Sequence, residues 1–450
     1  MSPAAAATAP RTVVAGLGKT GVSCVRYLLR QGARVAVTDT RPRPPGLEAL
    51  GEDAERIELR LGGFDLSLLE GASRLLLSPG ISLREPIATR ARSLGLEVIG
   101  DIELFARAVR APVIGVTGTN GKSTVTTLVA RMAAADGRRV LAGGNLGEPA
   151  LDLLARPAAQ LYVLELSSFQ LETTQRLDLV GGVVLNVTSD HMDRYDSMQD
   201  YAAAKARILD HAATAVLNLD DPLVAAMRRA GRPTLTYSIE SPDADFTLLR
   251  GGQGPMLARR GEPLLPLAQM RITGLHNAAN ALAALALGET AGLSRSAMLG
   301  ALRRFEGLPH RSQWVDRIDG VTYVNDSKGT NVGATLAAVR GAMTPLVLIA
   351  GGDGKQQDFT PLAQGFGSKV REVVLIGRDA AQIESALAGV CATHRAATLP
   401  EAVLIARRLA RAGDTVLLSP ACASLDMFRD YAQRGEVFAQ AVRELPGART

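Results

Sequence analysis

The chain has 450 residues, 47% of them hydrophobic and only 4% aromatic, with a formal charge of +5. That length points to two to four domains with ample material for packed cores. No apolar run approaches the roughly 18 residues of a membrane span, and the arginines form no basic block interleaved with aromatics of the kind nucleic-acid surfaces need. The Ala/Pro-rich start, MSPAAAATAP, has no basic region followed by an apolar core and reads as a frayed tail, not a secretion signal. Cys24, Cys391 and Cys422 are odd in number and match no zinc pattern, so free thiols in a reducing cytoplasm are expected.

The first segment reads strand, turn, helix, strand: Val13 to Ala15, then Gly16-x-Gly18-x-x-Gly21, then Val22 to Gln31, then Val35 to Thr38 ending at Asp39. This is a βαβ unit with the dinucleotide-binding fingerprint. Strands at Arg74–Leu77 and Glu97–Ile99 complete a small Rossmann-type domain ending near residue 101.

A second segment opens on GVTGTNGKST, Gly115 to Thr124. A short apolar strand runs into a loop of small residues and then into a helical pattern, an arrangement that aims backbone N–H groups at anionic oxygens. Lys122 is placed to reach phosphates and Ser123 to offer a hydroxyl to Mg²⁺. The strict phosphate-loop pattern wants glycine where Val116 stands. Further strands are expected at Val140–Ala142, Leu161–Leu164, Gly182–Asn186 and Ala215–Leu219, alternating with helices in a parallel sheet. A third segment begins near Pro309-His310-Arg311, with strands at Val321–Val324, Leu346–Ile349, Val373–Ile376 and Thr415–Leu418.

Six lysines, at 19, 122, 205, 328, 355 and 369, stand against 44 arginines among the 50 basic residues. A chain that uses arginine for ordinary surface charge needs a reason for each lysine, such as a compact charge or an amine able to lose its proton. Glu165 closes the strand LYVLE and suits Mg²⁺, which prefers hard oxygen ligands. Asp190, His191 and Asp193 cluster in NVTSDHMDRY, a metal- or substrate-contacting group. Lys205 lies in the helix DYAAAKARIL; its carbamate would be an anionic oxygen ligand. Asn277 and Asn280 share one side of a helical first turn. Arg311 suits phosphate oxygens, Asp326 ribose hydroxyls, and Lys355 sits on a flexible loop. Ser424 is expected near a helix start, where a carboxylate would be welcome. Other readings of the fingerprint and loop are an NAD-dependent oxidoreductase and a non-catalytic nucleotide-binding regulator.

Together GVTGTNGKST, ELSSFQLE, NVTSDHMDRY, the Lys205 helix, GLHNAAN, PHR, NDSKGTN, GGDGK and LSPACASLDMF resemble the Mur ligases over nearly the whole chain beyond its first ten residues. The family's own loop has the form T-G-T-N-G-K-S, which accounts for Val116. The central motifs also fit other members and the related folylpolyglutamate synthases. The front GLGKTG…DTR and the back GGDGK and SPACASLDMF resemble the members that add D-glutamate.

The resemblance implies three α/β domains: a Rossmann-like UDP-binding domain over 1–101, a central P-loop ATPase-like domain over 102–308, and a Rossmann-like domain over 309–450 that receives the amino acid. It implies a cytoplasmic monomer that uses ATP to join D-glutamate to UDP-MurNAc-L-Ala through an acyl phosphate and a tetrahedral intermediate. Lys19, Thr20, Asp39, Thr40, Arg41, Gly80, Asn145, Ser167, Gln170 and His191 would meet the UDP substrate. Thr119, Asn120, Gly121, Lys122, Ser123, Thr124, Asn280, Arg311 and Asp326 would meet ATP. Ser123 and Glu165 would hold one Mg²⁺, and Glu165, His191 and a carbamylated Lys205 the other. Lys122, Glu165, His191 and Lys205 carry the catalysis in this reading. D-glutamate would fall to Lys328, Thr330, Lys355, Ser424 and Leu425. The family often has Phe where this chain has Tyr431.

Overall fold

The structure, a computed structural model, describes residues 11–145, 147–188, 194–252 and 254–448. Its N-terminal sheet contains β1 (Arg11–Ala15), β2 (Arg34–Asp39), β3 (Glu58–Leu61), β4 (Ala72–Leu77) and β5 (Glu97–Ile99), in the order β3-β2-β1-β4-β5. All neighbours are parallel, with Val13 opposite Ala36 on one side and Leu75 on the other. A central parallel strand is covered on both faces, so β1 is a continuous apolar run, not an alternating one. Val13, Val14 and Ala15 are all essentially inaccessible. The helix Lys19–Arg30 follows and buries Val22, Val25, Leu28 and Leu29, the stripe that a 3.6-residue period predicts.

The central sheet contains β6 (Val113–Thr117), β7 (Val140–Gly144), β8 (Leu161–Glu165), β9 (Leu179–Val184), β10 (Ala212–Asn218), β11 (Thr234–Ser238) and β12 (Phe246–Leu249). These run in the order β12-β11-β10-β9-β6-β8-β7. β6 lies between β8 and β9, with Val116 opposite Glu165 and Thr117 opposite Val184. The phosphate loop and Glu165 therefore emerge side by side from strand carboxyl ends, where open α/β sheets hold ligands. β9 starts and ends earlier than the 182–186 span expected. Its glycines do not break the strand but admit neighbours: a Cβ at Gly181 would strike Thr290, and one at Gly182 would crowd Ala212.

β13 (Met256–Arg259) and β14 (Glu262–Pro266) follow. The last sheet contains β15 (Gln313–Ile318), β16 (Val321–Asn325), β17 (Leu346–Gly351), β18 (Val370–Ile376), β19 (Ala392–Arg395) and β20 (Thr415–Leu418), ordered β15-β16-β20-β17-β18-β19. Only β15 is antiparallel to its neighbour. Because β20 inserts between β16 and β17, the loops carrying Lys328, Ser424 and Lys355 leave three adjacent strand ends.

The chain divides into two compact units. The first runs to Thr247 and adds Arg259–Gly261 and Leu282–Gly300; the second holds Leu248–Ala258, Glu262–Ala281 and everything from Ala301 on. No helix among the described residues is long and apolar enough to cross a membrane.

Candidate functional site

In the first unit the fingerprint turn borders a cavity of about 510 Å³. Gly16 has φ +90, and a Cβ at Gly21 would run into the Gly16 carbonyl, so both glycines are demanded by the protein itself. Gly18 faces open space on the cavity lining. Lys19, Thr20, Asp39, Thr40, Arg41, Gly80, Asn145 and Gln170 all line the same cavity. Lys19 Nζ donates to the Gly147 carbonyl.

Asp39 is 2% exposed and committed to the protein. Its Oδ2 accepts from Leu17 N at 2.7 Å and Arg41 Nη2 at 2.7 Å, and its Oδ1 from Arg41 N at 2.9 Å and Nε at 2.8 Å. Burial pushes its pKa up, but the Arg41 fork and the two amides outweigh it and hold the carboxyl at about 2.

Ser167 caps the helix Ser168–Glu172 in a reciprocal pair: its Oγ accepts from Gln170 N, and its own N donates to Gln170 Oε1 at 3.1 Å. The Gln170 amide donates onward to Asp101 Oδ2 at 3.0 Å. Asp101 is 3% exposed, its other oxygen has no partner, and burial raises its pKa to about 6 despite that bond.

The phosphate loop is latched to the strand end beside it. Thr119 N donates to Asn186 O at 2.9 Å, Asn120 N to Asn186 Oδ1 at 2.8 Å, and Asn186 Nδ2 back to Asn120 O at 3.1 Å. Gly118 (φ +150) and Gly121 (φ +83) shape the turn. Lys122 begins the helix Lys122–Ala135, and its Nζ lies across the loop, donating to Gly118 O at 2.9 Å and Thr119 O at 2.8 Å. Thr124 occupies the same first turn, half-buried.

Ser123 Oγ donates to Glu165 Oε2 at 2.8 Å, and Asn145 Nδ2 to Glu165 Oε1 at 2.6 Å. Glu165 is 3% exposed, not a solvated strand-end acid. Asn145 thus touches both the cavity and the loop's carboxylate. Lys205 is 2% exposed, on the buried side of Met198–Asp210. Its Nζ donates to Gly118 O at 3.0 Å and lies 4.3 Å from the Tyr201 ring centroid.

Asp190, His191 and Asp193 lie outside the described residues. Arg194, just beyond, donates to Pro79 O at 2.9 Å and Ile81 O at 3.0 Å and lies over the Phe169 ring. Neither this tie to the cavity wall nor the Asn186 latch was expected; both depend on tertiary neighbours with no motif of their own. Among the described residues no group of three His, Cys, Asp or Glu could hold a metal ion.

In the second unit Asn277 and Asn280 are both buried near the start of Leu275–Thr290, with Asn280 Nδ2 donating to Asn277 Oδ1 at 3.3 Å. Arg311 is exposed. Asp326 accepts from Ser312 N at 3.0 Å and Ser419 Oγ at 2.8 Å; burial raises its pKa to about 6, with those donors and Arg311 opposing. Lys328 Nζ donates to the Tyr431 hydroxyl at 3.1 Å. Thr330 N donates to Lys328 O at 2.8 Å. Lys355 is exposed with φ +51, an uncommon backbone for a side chain with a Cβ. Leu425 is 66% exposed.

Ser424 does not begin a helix. It stands in a turn whose Met427 and Phe428 amides both donate to its carbonyl, and the next helix starts at Tyr431. That loop is fixed by Arg434, fully buried, which donates to Cys422 O at 3.1 Å and Ala423 O at 3.3 Å.

Three family models cover most of the chain: "Mur ligase MurD-like, N-terminal domain" over 10–100, "Mur ligase middle domain" over 116–288 and "Mur ligase, glutamate ligase domain" over 310–422. The chain belongs to the Mur ligase family. The UDP-N-acetylmuramoylalanine--D-glutamate ligase of Nitrosococcus oceani is 52% identical over 448 residues, 99% of this chain and 98% of that protein. The enzyme of the same name from Pseudomonas aeruginosa is 51% identical over 438 residues, 96% of this chain and 98% of that one. Among solved structures, a UDP-N-acetylmuramate-alanine ligase from Thermotoga maritima matches with a TM-score of 0.57 at 18% identity, over 96% of this chain and 99% of that one. At that identity the likeness speaks for the fold alone.

Proposed function

We propose that this chain joins D-glutamate to UDP-N-acetylmuramoyl-L-alanine, converting ATP to ADP and phosphate, as a cytoplasmic monomer supplying a peptidoglycan precursor. The observation that carries the reading is the Ser123–Glu165 pair beside a latched phosphate loop, in a chain half identical along its length to relatives named for that reaction. Its working parts would be 1–101 for the UDP end, 102–308 for ATP and 309–450 for the amino acid.

A carboxylate is a poor acceptor for an amine because it is anionic and its oxide is a poor leaving group. Moving the γ-phosphoryl of ATP to the alanyl carboxylate forms an acyl phosphate and removes both obstacles. Lys122 would offset repulsion between the two anions, with Arg311, Asn280 and Asp326 also on the nucleotide. The D-glutamate ammonium loses a proton to a base, for which His191 is a candidate; the neutral nitrogen attacks the acyl carbon, and as it gives up a second proton phosphate leaves the tetrahedral intermediate and the amide remains. Cavity residues including Lys19, Thr20, Arg41, Gly80 and Asn145 would hold the UDP substrate; Lys328, Thr330, Lys355, Ser424 and Leu425 would hold D-glutamate. Fixing the partners in place can lower the barrier by up to roughly 7–11 kcal/mol.

The donor set fits Mg²⁺: a hydroxyl and a carboxylate already in contact at the foot of the loop are hard oxygen ligands. Ser123 and Glu165 would hold one ion, and Glu165, His191 and Lys205 a second, the metals supplying charge neutralisation of phosphate oxygens. Lys205 would serve as a carbamate, its free amine adding to CO₂ with loss of a proton. Its burial beside Gly118 supports a role other than surface charge.

An oxidoreductase reading is disfavoured by Asp39. A dinucleotide site needs that acid to accept from ribose hydroxyls, whereas here both oxygens are engaged by Leu17 and Arg41. The deciding assay measures phosphate release from ATP with UDP-MurNAc-L-Ala and either glutamate isomer. Release only with the D-isomer is expected; release with neither isomer, or as much with the L-isomer, overturns the reading. In the same assay Lys205→Ala is expected to be nearly inactive and partly restored by short carboxylic acids, and absence of restoration counts against the carbamate.

A further inference from the structure

Tyr431 opens the helix Tyr431–Arg443, capped by Asp430. Its hydroxyl accepts from Lys328 Nζ at 3.1 Å, and the same nitrogen stands 4.4 Å from the ring centroid. One residue thus meets the ammonium twice, through a lone pair and through the negative face of its ring.

The geometry around this pair is over-determined. Ser327, the neighbour of Lys328, donates its Oγ to Tyr431 O at 2.8 Å. Arg434, one turn along from Tyr431, donates to Ser327 Oγ at 3.0 Å and Ser327 O at 2.8 Å, and to the carbonyls of Cys422 and Ala423. Lys328 N donates to His310 O at 3.0 Å, and the His310 ring meets Tyr431 edge-on, centroids 6.2 Å apart. The start of one helix therefore fastens the Lys328 loop and the Ser424 loop while its own first side chain holds the ammonium.

We propose that the Tyr431 hydroxyl is a positioning group for Lys328 in the amino-acid site, resting on the assignment of Lys328 to D-glutamate made above. A free lysine carries a flexible four-carbon stem and must be ordered when an anion binds. Held by a phenol, it is ordered beforehand, and less binding energy is lost to ordering. The phenol, while accepting from the ammonium, keeps its own O–H as a donor, so the pair offers a carboxylate two adjacent donors. A phenylalanine here would keep the ring contact and lose the acceptor and donor together.

The experiment is a double-mutant cycle on the intact enzyme with Tyr431→Phe, Lys328→Ala and the pair, recording KM for D-glutamate, ATP and UDP-MurNAc-L-Ala, kcat, and the melting temperature. Tyr431→Phe is expected to raise KM for D-glutamate about tenfold with a kcat change of about twofold, consistent with loss of a charge-assisted hydrogen bond. The other two KM values and the melting temperature should stay near the parent's. In the Lys328→Ala background the same change should have little effect, because the group it positions is gone. If Lys328→Ala raises KM for D-glutamate and Tyr431→Phe does not, the proposal fails while the site assignment stands. If the two effects simply add, Tyr431 does not act through Lys328 and the proposal fails. If Lys328→Ala leaves that KM unchanged, the assignment itself is wrong.

Discussion

Asp101 is a carboxyl with one oxygen on Gln170 and the other buried without a partner. Folding favours its protonated form, raising its pKa from 3.8 to about 6. The stabilisation of that form is therefore fully present below about pH 4 and lost as pH rises through about 6, so above that range the ionised group weakens the fold. Asp101→Asn keeps an acceptor for Gln170 and removes the charge. It is expected to gain about 2–3 kcal/mol at pH 8 and almost nothing at pH 4, read from urea midpoints at the two pH values. An equal effect at both pH values would mean that charge is not the cause. Lys369 illustrates the opposite case of a residue with a plain structural job. Its Nζ donates to Arg340 O at 2.6 Å and Ala342 O at 3.1 Å, satisfying carbonyls at a helix end.

At the level of elements, the fingerprint turn separates what the fold requires from what a ligand requires. A Cβ at Gly21 meets backbone, which cannot yield, so Gly21→Ala should cost on the order of 3 kcal/mol by forcing the first strand and helix apart. Gly18 is extended, with φ −92 and ψ −166, and open space beside it, so Gly18→Ala should change stability by less than about 0.5 kcal/mol. Its methyl would project at the cavity, and KM for the UDP substrate should rise about tenfold. Urea unfolding and initial rates separate the two variants; equal destabilisation would refute the distinction. The same contrast explains what could be read from sequence. β1, β6, β8, β17 and β20 are short, largely apolar runs followed by polar or glycine-rich residues and were legible. β3 (ELRL) and β19 (ATHR) are short edge strands with charged residues; β3 alternates charged and apolar side chains but over too short a run to stand out, and β19 has no such pattern. Glu165, Lys122 and Ser123 were legible because loop and strand end carry them in sequence. Asn145 was expected at the substrate but its bond to the Glu165 side chain was not; the Asn186 latch and the Arg194 and Arg434 clamps were not legible either, since each bonds across tens of residues to backbone that any sequence would supply.

At the scale of the whole molecule, every side chain lining the N-terminal cavity belongs to the first compact unit, from Gly16 to Gln170. A ligand there should stabilise that unit by linkage, without chemistry and without ATP. At a hundredfold excess over its dissociation constant, the gain should be about 2.7 kcal/mol. UDP-MurNAc-L-Ala alone is therefore expected to raise the melting transition of the first unit and to slow amide exchange around Leu17–Thr20 and Asp39–Arg41. NADH at the same concentration should do neither, because the Asp39 oxygens that a nicotinamide dinucleotide would need are already taken by Leu17 N and Arg41. Scanning calorimetry together with hydrogen exchange gives both readouts. Protection of these segments by NADH equal to that by the UDP substrate would mean that Asp39 releases its partners on binding. Asp39 would then no longer distinguish this fingerprint from a dehydrogenase's. Protection by the UDP substrate confined to other segments would move its site away from the cavity altogether.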